Sequence, residues 1–172
     1  MREHRLIEQI VTPLETELRY ISHQKKVHPQ FIFTVVDFFR TYADKYHHGK
    51  EEDILFHELK KKKLIPEHQQ IMLELTEEHR FARRTVGELE KATGKWRKGY
   101  ETALNTVADD LRKLIELYPR HIEKEDKHFF FPIQEYFTKK EREQLLQKGY
   151  DFDQNFTNHN YQDKMKTLLE HK

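Results

Sequence analysis

Apolar residues along this chain recur at helical spacing and no stretch alternates with period two, so the pattern predicts helices throughout. His4, Ile7, Val11, Leu14, Leu18 and Ile21 follow an unbroken three-four spacing, the seam that a helix turns toward a bundle core. A second stretch, starting near Phe31, puts Ile32, Val36, Phe39 and Ala43 on one face, which His47 and Ile54 extend. Met72, Leu75, His79, Ala82, Val86 and Leu89 form a third seam, and Leu104, Val107, Leu111, Leu114, Tyr118, His121, Glu125 and Phe129 a fourth. Breaks fall near Lys25 to Pro29, around Leu64 to Glu67, at Thr93 to Gly99 and after Phe137. The expected fold class is therefore all-α, an up-down four-helix bundle over residues 1–137 with additional short helices in a C-terminal extension, residues 138–172, packed on it. Within that extension, Thr138 to Gln147 and Thr157 to His171 each read as a short helix lying across the bundle. Two prolines complicate the picture. Thr12-Pro13-Leu14-Glu15 has the form of a helix start, so Pro13 either kinks the first helix or restarts it, leaving His4 on a short preceding segment. Pro119 predicts a bend just before His121.

At 172 residues the chain is one domain with room for a small appendage. Its 35% charged residues are almost balanced, 31 Lys and Arg against 30 Asp and Glu, which describes a solvated surface of both signs and gives no support to nucleic-acid binding. Cysteine is absent, which excludes disulfides, thiolate metal sites and a cysteine nucleophile. The first residues lack an apolar targeting core, and no apolar run approaches membrane-spanning length, so the expectation is a cytoplasmic protein without a membrane partner.

The chemistry lies in what interrupts the seams. His4, His47, His79 and His121 give each predicted helix one inward imidazole, and Glu125 adds an inward carboxylate. Four His-x-x-x-Glu pairs occur, His4/Glu8, His47/Glu51, His48/Glu52 and His121/Glu125, and only an inward-facing pair can place both side chains on one ion. On regular α-helical spacing His48 and Glu52 follow Asp37, Thr41 and Asp44 on the polar side, whereas His47 and Glu51 border the apolar one. His47/Glu51 and His121/Glu125 are thus the favoured pairs. Burying four imidazoles and two carboxylates without partners is costly, so they must pair with one another or hold metal. A nitrogen and oxygen donor set without thiolate suits non-haem iron, and two carboxylates from different helices can bridge two ions.

These residues sit in strings that resemble the hemerythrin-like, or HHE cation-binding, family: MREHRLIEQI, YHHGKEEDILF, EEHRFARRTV and YPRHIEKEDKHFFFP match its four helical motifs in order. The resemblance implies that His4 and His47 bind one metal, that His79 and His121 bind the other, and that Glu51 and Glu125 bridge two non-haem iron ions, with zinc or another divalent metal as the alternative occupant. It also implies a small diatomic ligand or peroxide as partner, or a role in handling iron, as in family members linked to oxidative and nitrosative stress. The oxygen-carrying hemerythrins place a second His four residues after the third-helix His, where this chain has Arg83. An open coordination position is therefore expected beside His79 and His121, and Arg83 either turns inward toward a bound anion or is solvated. Tyr118 either bonds a ligand or fills the seam. Glu125-x-x-His128 is half of a ferritin-like diiron pattern, supplied once only. The remaining histidines, His23, His28, His57, His68, His159 and His171, read as structural or surface groups. The competing expectation is a helical interaction module in which a metal is structural.

Overall fold

A computed structural model of the chain describes residues 2–156 and 168–170. Four antiparallel rods form an up-down bundle, with no strand among the described residues. The first rod comprises α1 (Arg2–Gln9) and α2 (Val11–Gln24). The second runs from α3 (Pro29–Phe38) through two π-helical stretches, Phe39–His48 and Glu51–Phe56, into the single turn α4 (His57–Leu59). The third is the long α5 (Pro66–Arg97), and the fourth is α6 (Ala103–Lys124) continued by a π-helical turn, Glu125–Phe129. A short 3-10 segment, Pro132–Tyr136, then leads to α7 (Lys139–Phe156).

The chain restarts its first helix. Ile10 separates α1 from α2, and Pro13 lies in the first turn of α2, where the missing N–H has no intrahelical acceptor to lose. His4 rides on the separate two-turn α1. Pro119, by contrast, lies inside α6, which continues through it. In the first seam Ile10 and Glu17 are buried where Val11 and Leu18 are half-buried. The buried Glu17 carboxylate accepts hydrogen bonds from the His28 backbone N–H at 2.7 Å and from His28 Nδ1 at 2.8 Å, tying the loop between the first two rods to α2.

Two apolar clusters form the core. The larger one, from Ile7, Leu14, Ile32, Phe39, Val86, Leu111 and their neighbours, fills the body of the bundle. A smaller one, including Phe56, Leu59, Met72, Leu75, Phe129 and Ile133, closes the other end. Along the second, third and fourth rods His47, His48, Glu51, His79, His121 and Glu125 fall where the two clusters meet, so a polar chamber is enclosed by hydrocarbon on both sides. Tyr118 belongs to the larger cluster, stacked on Phe39 at 4.6 Å, so it fills the seam.

The C-terminal segment departs from the expected short helices. Thr138 and Glu141 cap each other at the start of α7, the Glu141 N–H reaching the Thr138 hydroxyl at 3.3 Å and the Thr138 N–H reaching the Glu141 carboxylate at 2.8 Å. From there α7 runs eighteen residues to Phe156, beyond the Gln147 limit, because its contacts with the second rod outweigh its weak apolar pattern. Lys50 to Asp153 at 2.9 Å, Lys148 to Glu58 at 2.8 Å and Lys62 to Glu141 at 2.6 Å hold it in place. Phe152 lies so close to Gly49 that a Cβ there would stand 3.2 Å from its ring. Thr157, His159 and His171 fall outside the described residues, as does most of the second expected C-terminal helix. No helix among the described residues is long and apolar enough to cross a membrane.

Candidate metal centre

The bundle brings His4, His47, Glu51, His79, His121 and Glu125 together in the chamber, and all six are buried. They form two overlapping groups, His4, His47, Glu51 and Glu125 on one side and Glu51, His79, His121 and Glu125 on the other. The two carboxylates belong to both, and each divides its oxygens between them. Glu51 offers Oε1 to His47 Nε2 at 3.5 Å and Oε2 to His79 Nε2 at 3.4 Å. Glu125 offers Oε2 to His4 Nε2 at 3.1 Å and Oε1 to His121 Nε2 at 3.3 Å.

Four outer carboxylates explain why every Nε2 points inward. His4 Nδ1 donates to Asp126 at 2.9 Å, His47 Nδ1 to Glu3 at 2.9 Å, His79 Nδ1 to Glu52 at 2.7 Å and His121 Nδ1 to Glu78 at 2.8 Å. The pattern is cyclic, because the first rod supplies the carboxylate for the second rod's imidazole, the second for the third's, the third for the fourth's and the fourth for the first's. An Nδ1–H fixed in this way leaves a lone pair on Nε2 and fixes the ring plane. These partners are themselves held anionic. Burial opposes it, but hydrogen bonds from His47 and Lys50 bring Glu3 down to about 2, and bonds from His79 and Arg83 bring Glu52 down to about 2. Each outer carboxylate sits next in sequence to a candidate ligand, in the pairs Glu3-His4, Glu51-Glu52, Glu78-His79 and Glu125-Asp126. Nothing in a one-dimensional pattern says that it serves a different helix.

The inward atoms fit a cation. His4 Nε2 and His47 Nε2 face each other at 3.1 Å, and with both Nδ1 protons committed outward this contact needs a further proton or a cation between the two nitrogens. Both oxygens of Glu51, both of Glu125, and Nε2 of His79 and of His121 have no hydrogen-bond donor. Buried acceptors left in this way are costly unless a positive charge lies among them. Burial, aided by the charge of Glu51, accordingly pushes the Glu125 carboxyl well above its ordinary range, while burial and His47 bring His4 down to about 4. The separations of 3.1 to 3.5 Å match neighbouring donors bound at about 2.1 Å to one ion, which stand about 3.0 to 3.4 Å apart.

One expectation is overturned. His48 is not on a polar face but only 1% exposed, stacked on His79 with ring centroids 3.8 Å apart. The cause is the π-helical stretch Phe39–His48, whose i→i+5 bonds, such as Gly49 N–H to the Asp44 carbonyl, place more residues in each turn than an α-helix. The wider turn lets adjacent residues His47 and His48 both face the chamber. Glu52 remains partly exposed and serves as the outer partner of His79. Arg83 turns outward, its guanidinium bonding Asp44 at 2.6 Å and Glu52 at 2.8 Å. His128 is exposed and so stands apart from the chamber, and His23 and His57 are exposed as well. His68 bonds the Tyr136 hydroxyl at 2.8 Å.

A cavity of about 560 Å³ between the bundle and α7 reaches the centre at His47 and Glu51 through walls that include Ile54, Leu55, Phe130, Ile133 and Phe137. This cavity approaches the centre on the His47 side, and a smaller one of about 50 Å³ lies against His48 and Arg83.

Comparison with known proteins agrees with this architecture. No curated protein and no solved structure matches the chain. The family described as hemerythrin HHE cation binding domain matches residues 1–131, the segment that contains every candidate ligand. The chain belongs to the hemerythrin HHE cation-binding domain family.

Proposed function

We propose that this protein holds a carboxylate-bridged pair of non-haem iron ions and uses it to bind or sense a small ligand, oxygen, nitric oxide or peroxide, in handling oxidative or nitrosative stress. The observation that carries the reading is the division of Glu51 and Glu125 between two histidine pairs, one oxygen to each side. His4, His47, Glu51, His79, His121 and Glu125 would hold the ions, and iron held there would supply a coordination site for a diatomic ligand and electrons to share with it.

The chain's own groups do the rest. The four Nδ1–H to carboxylate bonds fix the tautomer and the ring plane of each imidazole and raise the basicity of the inward Nε2 atoms. Ile54, Leu55, Phe130, Ile133 and Phe137 give the cavity beside His47 and Glu51 a largely apolar wall, a route sized for a small molecule. Lys50, bonded to Glu3 and to Asp153 at 2.9 Å, holds α7 against this route.

The experiment is metal content per chain with the visible spectrum, on protein purified with iron present, before and after azide. About two irons per chain with absorption bands that shift on adding azide support the reading. A single ion, bound zinc, or a spectrum blind to azide would refute it in favour of a metal that only stabilises the helices.

A further inference from the structure

The cavity of about 560 Å³ between the bundle and α7 falls in the range of about 300–1,000 Å³ that suits an organic molecule, far more than a diatomic ligand fills. Two residues of its wall keep large apolar surfaces in water: Leu146 is 75% and Tyr150 59% exposed, and with Arg142 they follow a four-residue spacing along one side of α7. Gly149 lines the same cavity, and a Cβ built on it would meet nothing within 4 Å. Glycine inside a helix is unfavourable. The ring of Phe152 accounts for Gly49, whereas nothing in the protein fills the space that Gly149 leaves. The charges of the wall are uneven too. At the inner end Lys50 is held by Glu3 and by Asp153 at 2.9 Å, and His47 by Glu3 at 2.9 Å. The exposed Arg142 bonds the Gln134 carbonyl at 3.3 Å and has no carboxylate partner among the described residues.

We propose that this cavity binds an organic carboxylate with an apolar chain, of the class of a medium-chain fatty acid, its carboxylate on Arg142 and its chain lying among Ile54, Leu55, Phe130 and Leu146. A guanidinium matches a carboxylate with two parallel hydrogen bonds, and this one is not already taken by an acidic side chain. The opposite orientation is disfavoured, because Glu3, Glu51 and Asp153 gather at the inner end and repel an anion. The head therefore stays at the exposed side and the chain points toward the centre. In that position it covers Leu146 and Tyr150 and fills the volume beside Gly149, which is the gain that drives binding. None of the groups that recognise the ligand is a candidate metal ligand, so the inference goes beyond the proposed function and stands whichever ion the centre holds.

The test is calorimetric titration of the full-length protein with decanoate below its micellar range, for the wild type, Arg142→Gln and Gly149→Leu, with acetate and decyltrimethylammonium as the head without the chain and the chain with the opposite charge. Far-ultraviolet dichroism verifies the fold of both variants. The expected result is one decanoate per chain, with no heat of binding from acetate or from the ammonium. Arg142→Gln should bind decanoate about tenfold more weakly, the loss of one charge-assisted contact. Gly149→Leu should not bind it, because the new side chain occupies the cavity. No decanoate binding in the wild type, several molecules per chain, or unchanged affinity in either variant would overturn the inference. Acetate binding as tightly as decanoate would place the carboxylate on an ion of the centre, and equal binding of the ammonium would leave apolar surface alone as the cause; either overturns it. Metal content and the azide response are separate readouts, so failure here leaves the proposed function standing, and failure there leaves this site.

Discussion

Removing Glu125 should abolish the stabilisation conferred by iron, whereas removing His121 should abolish about half of it. Glu125 gives Oε2 to the His4 side at 3.1 Å and Oε1 to the His121 side at 3.3 Å, so its loss strips both groups, while His121 belongs to one. At free iron 100-fold above its dissociation constant each ion stabilises the folded chain by about 2.7 kcal/mol. Two ions give about 5.4 kcal/mol, and a chain of this length shifts by about 2–4 °C per kcal/mol, so wild-type Tm should rise by about 11–22 °C on loading. His121→Ala should keep about half that rise. In Glu125→Ala, with each ion about 100-fold weaker, about 0.8 kcal/mol remains, a rise of about 2–3 °C. Differential scanning fluorimetry under anaerobic conditions, with Fe(II) or excess chelator, measures all six values. The iron-free Glu125→Ala protein should melt no lower than the iron-free wild type, because the deletion relieves a carboxyl that burial and Glu51 hold in an unfavourable state. A Glu125→Ala protein that still gains 10 °C with iron would refute the shared-carboxylate geometry. So would a His121→Ala protein that gains nothing.

Glu78→Gln, which weakens the 2.8 Å bond to His121 Nδ1, should lower iron affinity about 10–100-fold in chelator competition without unfolding the bundle; unchanged affinity would mean that the outer carboxylate does not orient the ring. Arg83→Ala should leave azide affinity within about threefold, because the guanidinium bonds Asp44 and Glu52 outside the chamber; a loss of azide binding would place that charge at the ligand. Glu17→Ala leaves the His28 N–H without its 2.7 Å partner and should cost about 2–4 kcal/mol in urea unfolding; a cost under about 0.5 kcal/mol would refute its structural role. Burial raises the Asp110 pKa, so its folded form holds the proton more tightly than the unfolded chain, and its contribution is favourable in acid and lost as pH rises. Asp110→Asn should therefore stabilise the protein at pH 7 by an amount that vanishes as pH falls through the carboxylate range; a gap independent of pH would refute that assignment.

Three-four spacing was enough to identify the rods, their breaks and the face that each turns inward, because burial of an amphipathic stripe is a local property of sequence. It also singled out the six residues that the bundle gathers, since an imidazole or carboxylate inside an apolar line stands out. What it could not show depends on departures from that periodicity. His48 was placed on the polar face by assuming α-helical spacing through the second rod, and the π-helical stretch Phe39–His48 invalidates that assumption. No residue in Phe39–His48 forces a wide turn in the way proline forces a break. The outer carboxylates were missed for another reason. Glu3, Glu52, Glu78 and Asp126 each act on a neighbouring rod, so their role exists only after the rods assemble.

The π-helical turns and the polar chamber make a single argument about why this bundle tolerates its own core. Wide turns of this kind are rare and occur frequently at functional sites. Here they end or begin at candidate ligands, Phe39–His48 at His47, the next at Glu51, and that of the fourth rod at Glu125. The first and third rods, which present one histidine each through α1 and α5, carry none. The wide turns therefore fall on the two rods that each turn a carboxylate inward with a histidine. The buried acceptors they gather are unfavourable together. A bound cation offsets that cost, so folding and metal loading should be linked: the second and fourth rods near residues 47–56 and 121–129 are where amide hydrogen exchange should slow most when iron binds, with α5 beyond Leu89 little changed. Uniform protection along all four rods would mean that the ion stabilises the bundle globally, and that the wide turns are not what it holds in place.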